Sequence, residues 1–85
     1  MDAKGDLKAM ELKAPQAHEI PPKHELAGLR RGHFCRLKAD GNYFWVMATA
    51  KQAGMITGIV ESSFPDGPER GSRIAFTKSN VFEIL

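Results

Sequence analysis

The chain has 85 residues, 42% of them hydrophobic and 26% charged, a composition typical of one small globular domain. No run of about 18 apolar residues is present, so the sequence predicts no transmembrane helix and no membrane partner. The first residues lack the apolar core of a secretory signal, and a single cysteine cannot form an internal disulfide. We therefore expect a cytoplasmic protein, and no motif in the sequence predicts a cofactor.

The charge is divided unevenly along the chain. Residues 1–28 hold four lysines and five acidic residues, whereas residues 29–85 hold eight basic and five acidic residues. This basic excess is well below the dense stripe of positive charge that is typical of dedicated nucleic-acid-binding domains. The charge is compatible with nucleic-acid binding but does not favour it.

Residues 1–24 predict a flexible N-terminal arm. They contain no aromatic residue, and their apolar side chains are too few to offset the entropy lost on ordering. Leu7, Met10 and Ala14 have the spacing of one helical face, but Pro15 would end this helix and a helix so short is marginal in water. Ile20–Pro22 should be extended.

Residues 25–85 predict a mainly β domain. Glu25–Leu29 should form one helical turn, and Asp40–Gly41 should form a tight hairpin turn because glycine accepts a positive φ. Two longer connections, Lys51–Gly54 and Ser62–Gly71, are predicted loops, and Lys78–Asn80 is a short turn. The five predicted strands are His33–Lys38, Asn42–Ala50, Met55–Glu61, Ser72–Thr77 and Val81–Leu85.

Alternation along these strands predicts the core. The inward residues are Cys35, Leu37, Phe44, Val46, Ala48, Ile56, Val60, Ile74, Phe76, Phe82 and Ile84. No long amphipathic helix is available to cover this face. We therefore expect five strands, joined in chain order as an antiparallel meander, to curl into a small SH3-like barrel or roll. Gly58 would allow a sharp bend.

Several segments resemble a bacterial domain family of unknown function with an SH3-like small β-barrel. Its pattern is an aromatic-Trp-Val strand, a Thr-Gly strand, a Gly-x-x-apolar-x-Phe strand and a terminal apolar strand. The matching segments are Gly41–Val46, Ile56–Val60, Gly71–Phe76 and Asn80–Ile84, and the preceding segment Leu29–Leu37 resembles the entry strand of many SH3-like barrels. The resemblance covers Leu26 to Leu85. It implies a fold and carries no active site to transfer.

Catalytic and metal chemistry receive little support from the sequence. His33 and Cys35 could form a base and nucleophile pair on one strand face, but that face is the predicted core, where a cysteine is usually inert. The two histidines at positions 18 and 24 could join them as four zinc ligands by residue type, although the spacing matches no ligand template. We therefore expect a protein that is not an enzyme and binds no metal.

The outward side chains of the first two strands form the candidate binding surface. They are Phe34, Arg36 and Lys38 on the first strand and Tyr43, Trp45 and Met47 on the second, with Arg73 on the fourth. Such residues could contact a protein partner or a second copy of the chain, since Trp, Tyr, Met and Arg are enriched in interfaces. The alternative partner is single-stranded nucleic acid, because aromatic side chains stack on bases and basic ones neutralise phosphates. A third reading is that the arm or the Ser62–Gly71 loop, with Phe64, simply covers this surface.

Overall fold

The structure is a computed structural model, and it describes residues 7–8, for which only the backbone is considered, and residues 11–85. The fold is mainly β, as predicted. One short helix, α1 (Lys23–Ala27), and two 3-10 turns, Ala17–Glu19 and Lys78–Asn80, accompany the strands in this part of the chain. The strands are β1 (Leu7–Lys8), β2 (Phe34–Ala39), β3 (Asn42–Gln52), β4 (Met55–Ser62), β5 (Arg73–Phe76) and β6 (Glu83–Ile84).

All strands belong to one sheet with the order β1-β5-β4-β3-β2-β6. The strands β2 to β5 form an antiparallel meander, as predicted, but β6 does not continue it. Instead β6 pairs antiparallel with β2, while β1 pairs in parallel with the far edge of β5. Among residues 7–8 and 11–85, β1 and β6 are the two edge strands of this sheet and do not pair with each other. The sheet is therefore open, and the predicted closed barrel is not confirmed.

Two tight turns set the lengths of the central hairpins. Asp40 and Gly41 both have positive φ, 51° and 78°, which confirms the predicted turn between β2 and β3. The predicted loop Lys51–Gly54 is wrong in extent, because β3 continues to Gln52. The turn contains only Ala53 and Gly54, again with positive φ, 51° and 83°. Two-residue turns of this kind match the twist of the flanking strands, and here one accommodates an alanine at a φ that side chains disfavour.

The core lies on one side of the sheet and agrees closely with the alternation pattern. The predicted residues that are buried in one cluster are Cys35, Leu37, Phe44, Val46, Ala48, Ile56, Val60, Ile74 and Phe76. The register between β3 and β4 shifts twice, between Trp45 and Val46 and between Ala48 and Ala50. Such bulges increase the local twist and curve the sheet around the core. At Gly58 an added Cβ would lie 2.7 Å from the Met47 carbonyl oxygen, so close approach of β3 requires glycine there.

Phe82 is buried, as predicted, although it does not belong to the main core cluster. The neighbouring Val81 is fully buried in the core cluster, whereas Phe82 packs against the ring of Tyr43 on the other side of the sheet. Ile84 is half-buried and packs against the core cluster, in agreement with its predicted side.

The segment before the sheet also departs from the sequence pattern. The spacing of Leu7, Met10 and Ala14 indicated a helix, but Leu7–Lys8 is a strand; Met10 lies outside the described residues. The edge strand β5 offers backbone partners that this short segment uses, and local spacing cannot reveal such partners. A helical turn is present as predicted, but α1 lies two residues earlier than the predicted Glu25–Leu29. It begins at Lys23, and it delivers Leu29 into the core.

Candidate binding face on the outer side of the sheet

The hairpin of β2 and β3 brings six of the predicted binding residues together. The ladder pairs Phe34 with Met47, Arg36 with Trp45 and Lys38 with Tyr43, all pointing away from the core. We call these six residues the outer face. Their grouping follows from the tight Asp40–Gly41 turn, which fixes the register so that outward residues of the two strands lie opposite one another.

Tyr43 is the centre of a cluster of charged and aromatic side chains. The Arg36 guanidinium carbon lies 4.4 Å from the centroid of the Tyr43 ring, and the Lys38 ammonium lies 5.0 Å from it. Both distances are those of cation–π contacts. Arg36 Nε also lies 3.3 Å from Glu83 Oε1 on β6, although the alignment falls short of a hydrogen bond. Both cations of the outer face are therefore held against neighbouring groups.

The aromatic side chains of the outer face are only partly covered. Phe34 is 37% exposed and Tyr43 38% exposed, while Trp45 and Met47 are half-buried. The Tyr43 ring meets Phe82 edge to face, with centroids 5.3 Å apart and planes at 83°. Because β3 is paired on both sides, these rings stand on a rigid part of the sheet and lose little freedom on contact with a partner.

A row of side chains extends the outer face across the sheet. Met47 lies opposite Ile59 on β4, which in turn lies opposite Arg73 on β5. Ile59 is half-buried and was missed by the sequence reasoning, although its place between the inward Gly58 and Val60 was a sufficient signal. Arg73 is exposed, but two strands, β4 and β3, separate β5 from β2. It is therefore not brought together with Arg36 and Lys38.

The arm contacts the Tyr43 end of the outer face. Lys13 N–H donates to the Lys38 carbonyl oxygen over 3.0 Å, and the Tyr43 hydroxyl donates to Glu19 Oε2 over 3.5 Å. Leu12 packs against the core cluster, and Pro21 is buried. These contacts show where part of the arm lies, but they do not report its motion. The flexibility of residues 1–24 therefore stays a prediction.

The long loop does not cover the outer face. Phe64 packs against the core cluster, and its ring lies 6.2 Å from that of the buried Phe44. Gly67 lies close against Phe64, where an added Cβ would fall 2.8 Å from the ring. The loop therefore covers the core side of the sheet, and the expectation that Phe64 folds over the outer face is wrong.

Cys35 and the histidines are not part of the outer face. Cys35 is fully buried, and desolvation raises its pKa from 9.0 to about 11, so the side chain is a neutral thiol near neutral pH. His33 Nδ1 accepts a hydrogen bond from the Arg30 backbone N–H over 3.2 Å. In the described part of the chain no three His, Cys, Asp or Glu side chains gather as metal ligands do, His18 and His24 included.

Comparison with known proteins identifies no relative. No protein family, no curated protein and no solved structure matches the chain. Among residues 7–8 and 11–85, no helix is long and apolar enough to cross a bilayer.

Proposed function

We propose that the protein is a non-catalytic binding module whose outer face contacts another protein chain, with a second copy of this chain as the first candidate. One observation carries this proposal. Aromatic and apolar side chains of two adjacent strands stand side by side, partly exposed, on the side of the sheet that faces away from the core. Contiguous exposed apolar surface of this kind is a usual mark of an interaction site.

The composition of the outer face supports a protein partner. Trp, Tyr, Phe, Met and Arg are the residue types enriched where protein surfaces meet, and Trp, Tyr and Arg supply most of the binding hot spots. Trp45 lies at the middle of the face, opposite Arg36 and between the Phe34–Met47 and Lys38–Tyr43 pairs. It is therefore the side chain we expect to contribute most to binding.

Single-stranded nucleic acid is the alternative partner. Bases could stack on Tyr43 and Trp45, and phosphates could be neutralised by Arg36, Lys38 and Arg73. Two observations weigh against this alternative. Arg36 and Lys38 already lie against Tyr43, and Arg36 also faces Glu83, so a phosphate would compete with contacts inside the protein. Arg73 is displaced by two strands and adds little to the same site.

We further propose that the open sheet belongs to the SH3-like roll class and that the protein works in the cytoplasm. The roll is supported by the strand order, in which the last strand follows a 3-10 turn and pairs with the first strand of the meander. The resemblance to a bacterial domain family of unknown function stays a prediction. A cytoplasmic location is consistent with a lone cysteine buried in the core.

Sedimentation velocity over a wide range of concentrations tests the proposed partner class. We expect the mass of the wild-type chain to rise with concentration and Trp45→Ala to remain monomeric. Met55→Ala is the matched control, because Met55 is also exposed but lies at the distant tip of the β3–β4 hairpin; it should associate as the wild type does. A monomer at all concentrations that binds single-stranded oligonucleotides, more weakly as salt rises, would replace the protein partner by nucleic acid.

A further inference from the structure

Residues 12–21 are seated on the domain in the manner of a bound peptide. Lys13 N–H donates to the Lys38 carbonyl on the same edge of β2 where Phe82 N–H donates to the Arg36 carbonyl over 2.9 Å. The arm therefore bonds to the edge of β2 at the point where β6 no longer pairs with it. Backbone pairing with an exposed strand edge is a general way in which extended peptides are recognised.

Two apolar contacts and one acid hold this segment. Leu12 packs against the core cluster near one end, and Pro21 is buried near the other. Between them, the Glu19 carboxylate reaches the Tyr43 hydroxyl, beside the ring on which Arg36 and Lys38 lie. The domain thus offers a strand edge, apolar contacts and a tyrosine hydroxyl that donates to a carboxylate, with two cations packed on the tyrosine ring.

The arm leaves part of its own groove empty. A cleft of about 270 Å³ remains between the arm and the sheet, with Lys38, Gly41 and Phe82 on the sheet side. On the arm side the small Ala14 faces the cleft together with Gln16. A segment with a larger apolar side chain in place of Ala14 would remove more of this cleft from water, which favours binding.

From these contacts we infer that the groove between Phe82 and Lys38 is a docking site for an extended acidic peptide of a partner protein, and that residues 11–22 occupy it as an internal competitor. The partner segment carries a large apolar side chain where the arm has Ala14 and a carboxylate where the arm has Glu19. The inference rests on the proposed function, since it specifies a peptide partner at the Tyr43 end of the outer face. It does not use Trp45.

A charge reversal that unseats the arm provides the test. In the full chain, Glu19→Lys removes the carboxylate near Tyr43 and places a cation beside Arg36 and Lys38. Glu11→Lys is the matched control, because it makes the same charge change at an exposed arm position. The probe is a synthetic peptide that copies residues 11–22, titrated into each chain while amide chemical shifts of Lys38, Gly41 and Phe82 are followed by NMR.

We expect the peptide to bind the Glu19→Lys chain at least about tenfold tighter than the wild type or the Glu11→Lys chain, because apparent affinity scales with the fraction of molecules whose groove is empty. A peptide carrying A14L should bind tighter still, and one carrying E19K should bind at least about tenfold weaker. Equal affinity for all three chains, shifts that map elsewhere, or no gain from A14L would overturn the inference.

A further pair of outcomes separates this inference from the proposed function. Trp45→Ala added to the Glu19→Lys chain should leave peptide affinity unchanged within about twofold. A large loss of affinity would show that the peptide binds across the Trp45 region and not in the groove. If no peptide binds while Trp45→Ala still abolishes self-association, the groove inference falls and the proposed function stands.

Discussion

Phe44→Ala tests which side of β3 faces the core, because the free energy of unfolding should fall far more for an inner residue than for an outer one. Its side chain is 1% exposed, and its ring meets that of Phe64 at 6.2 Å. Phe44→Ala removes the ring from a closed site, and such changes cost about 3–5 kcal/mol through lost burial and the cavity left behind. A chain of 85 residues has a free energy of unfolding of roughly 4–13 kcal/mol. The substitution should therefore remove a large part of the stability of the domain.

Phe34 supplies the matched control on the neighbouring strand. Phe34→Ala deletes the same atoms, but the side chain is 37% exposed and leaves no closed cavity, so the expected cost is about 1 kcal/mol or less. Urea unfolding followed by far-UV circular dichroism measures both variants. With a slope of about 1 kcal/mol/M, the midpoint should shift by several molar for Phe44→Ala and by under about 1 M for Phe34→Ala. Equal shifts would refute the assignment of inner and outer faces.

Three other predictions concern the core and the arm. Gly58→Ala should cost about 1–3 kcal/mol, because the new methyl group meets Val46 and the Met47 carbonyl; a thermal melt unchanged from the wild type would contradict this. The raised pKa of Cys35 means that the unfolded thiol ionises first, so stability should fall as pH rises from 9 towards 11, and Cys35→Ala should remove that part of the alkaline loss. Amide exchange should be faster in residues 11–22 than in β3, and protection equal to that of β3 would rule out the flexible arm.

The central strands could be predicted because their signals are local. Alternation in β2, β3 and β4 names the inner residues, and the Asp40–Gly41 pair fixes one register. The same alternation places the six residues of the outer face without knowledge of the fold. Local patterns succeed here because each strand has one buried side, and a register slip would expose it.

The missed features depend on contacts between distant segments. The pairing of β6 with β2 and of β1 with β5 joins chain positions far apart, and nothing in either short strand specifies its partner. The burial of Phe82 was predicted, but its contact with the Tyr43 ring was not, because β6 pairs with β2 and does not continue the meander. For the same reason Phe82 and Glu83 were not expected near Tyr43, so the groove under the arm was not foreseen.

Trp45→Ala tests the role of the outer face most directly when stability and association are measured on the same sample. Trp45 is half-buried on a paired strand, so we expect its loss to cost about 1–2 kcal/mol and to leave the chain folded. Light scattering over a range of concentrations should then show that the folded variant no longer associates, whereas Met55→Ala associates like the wild type. A folded Trp45→Ala chain that associates as strongly as the wild type would contradict the proposed role of the outer face.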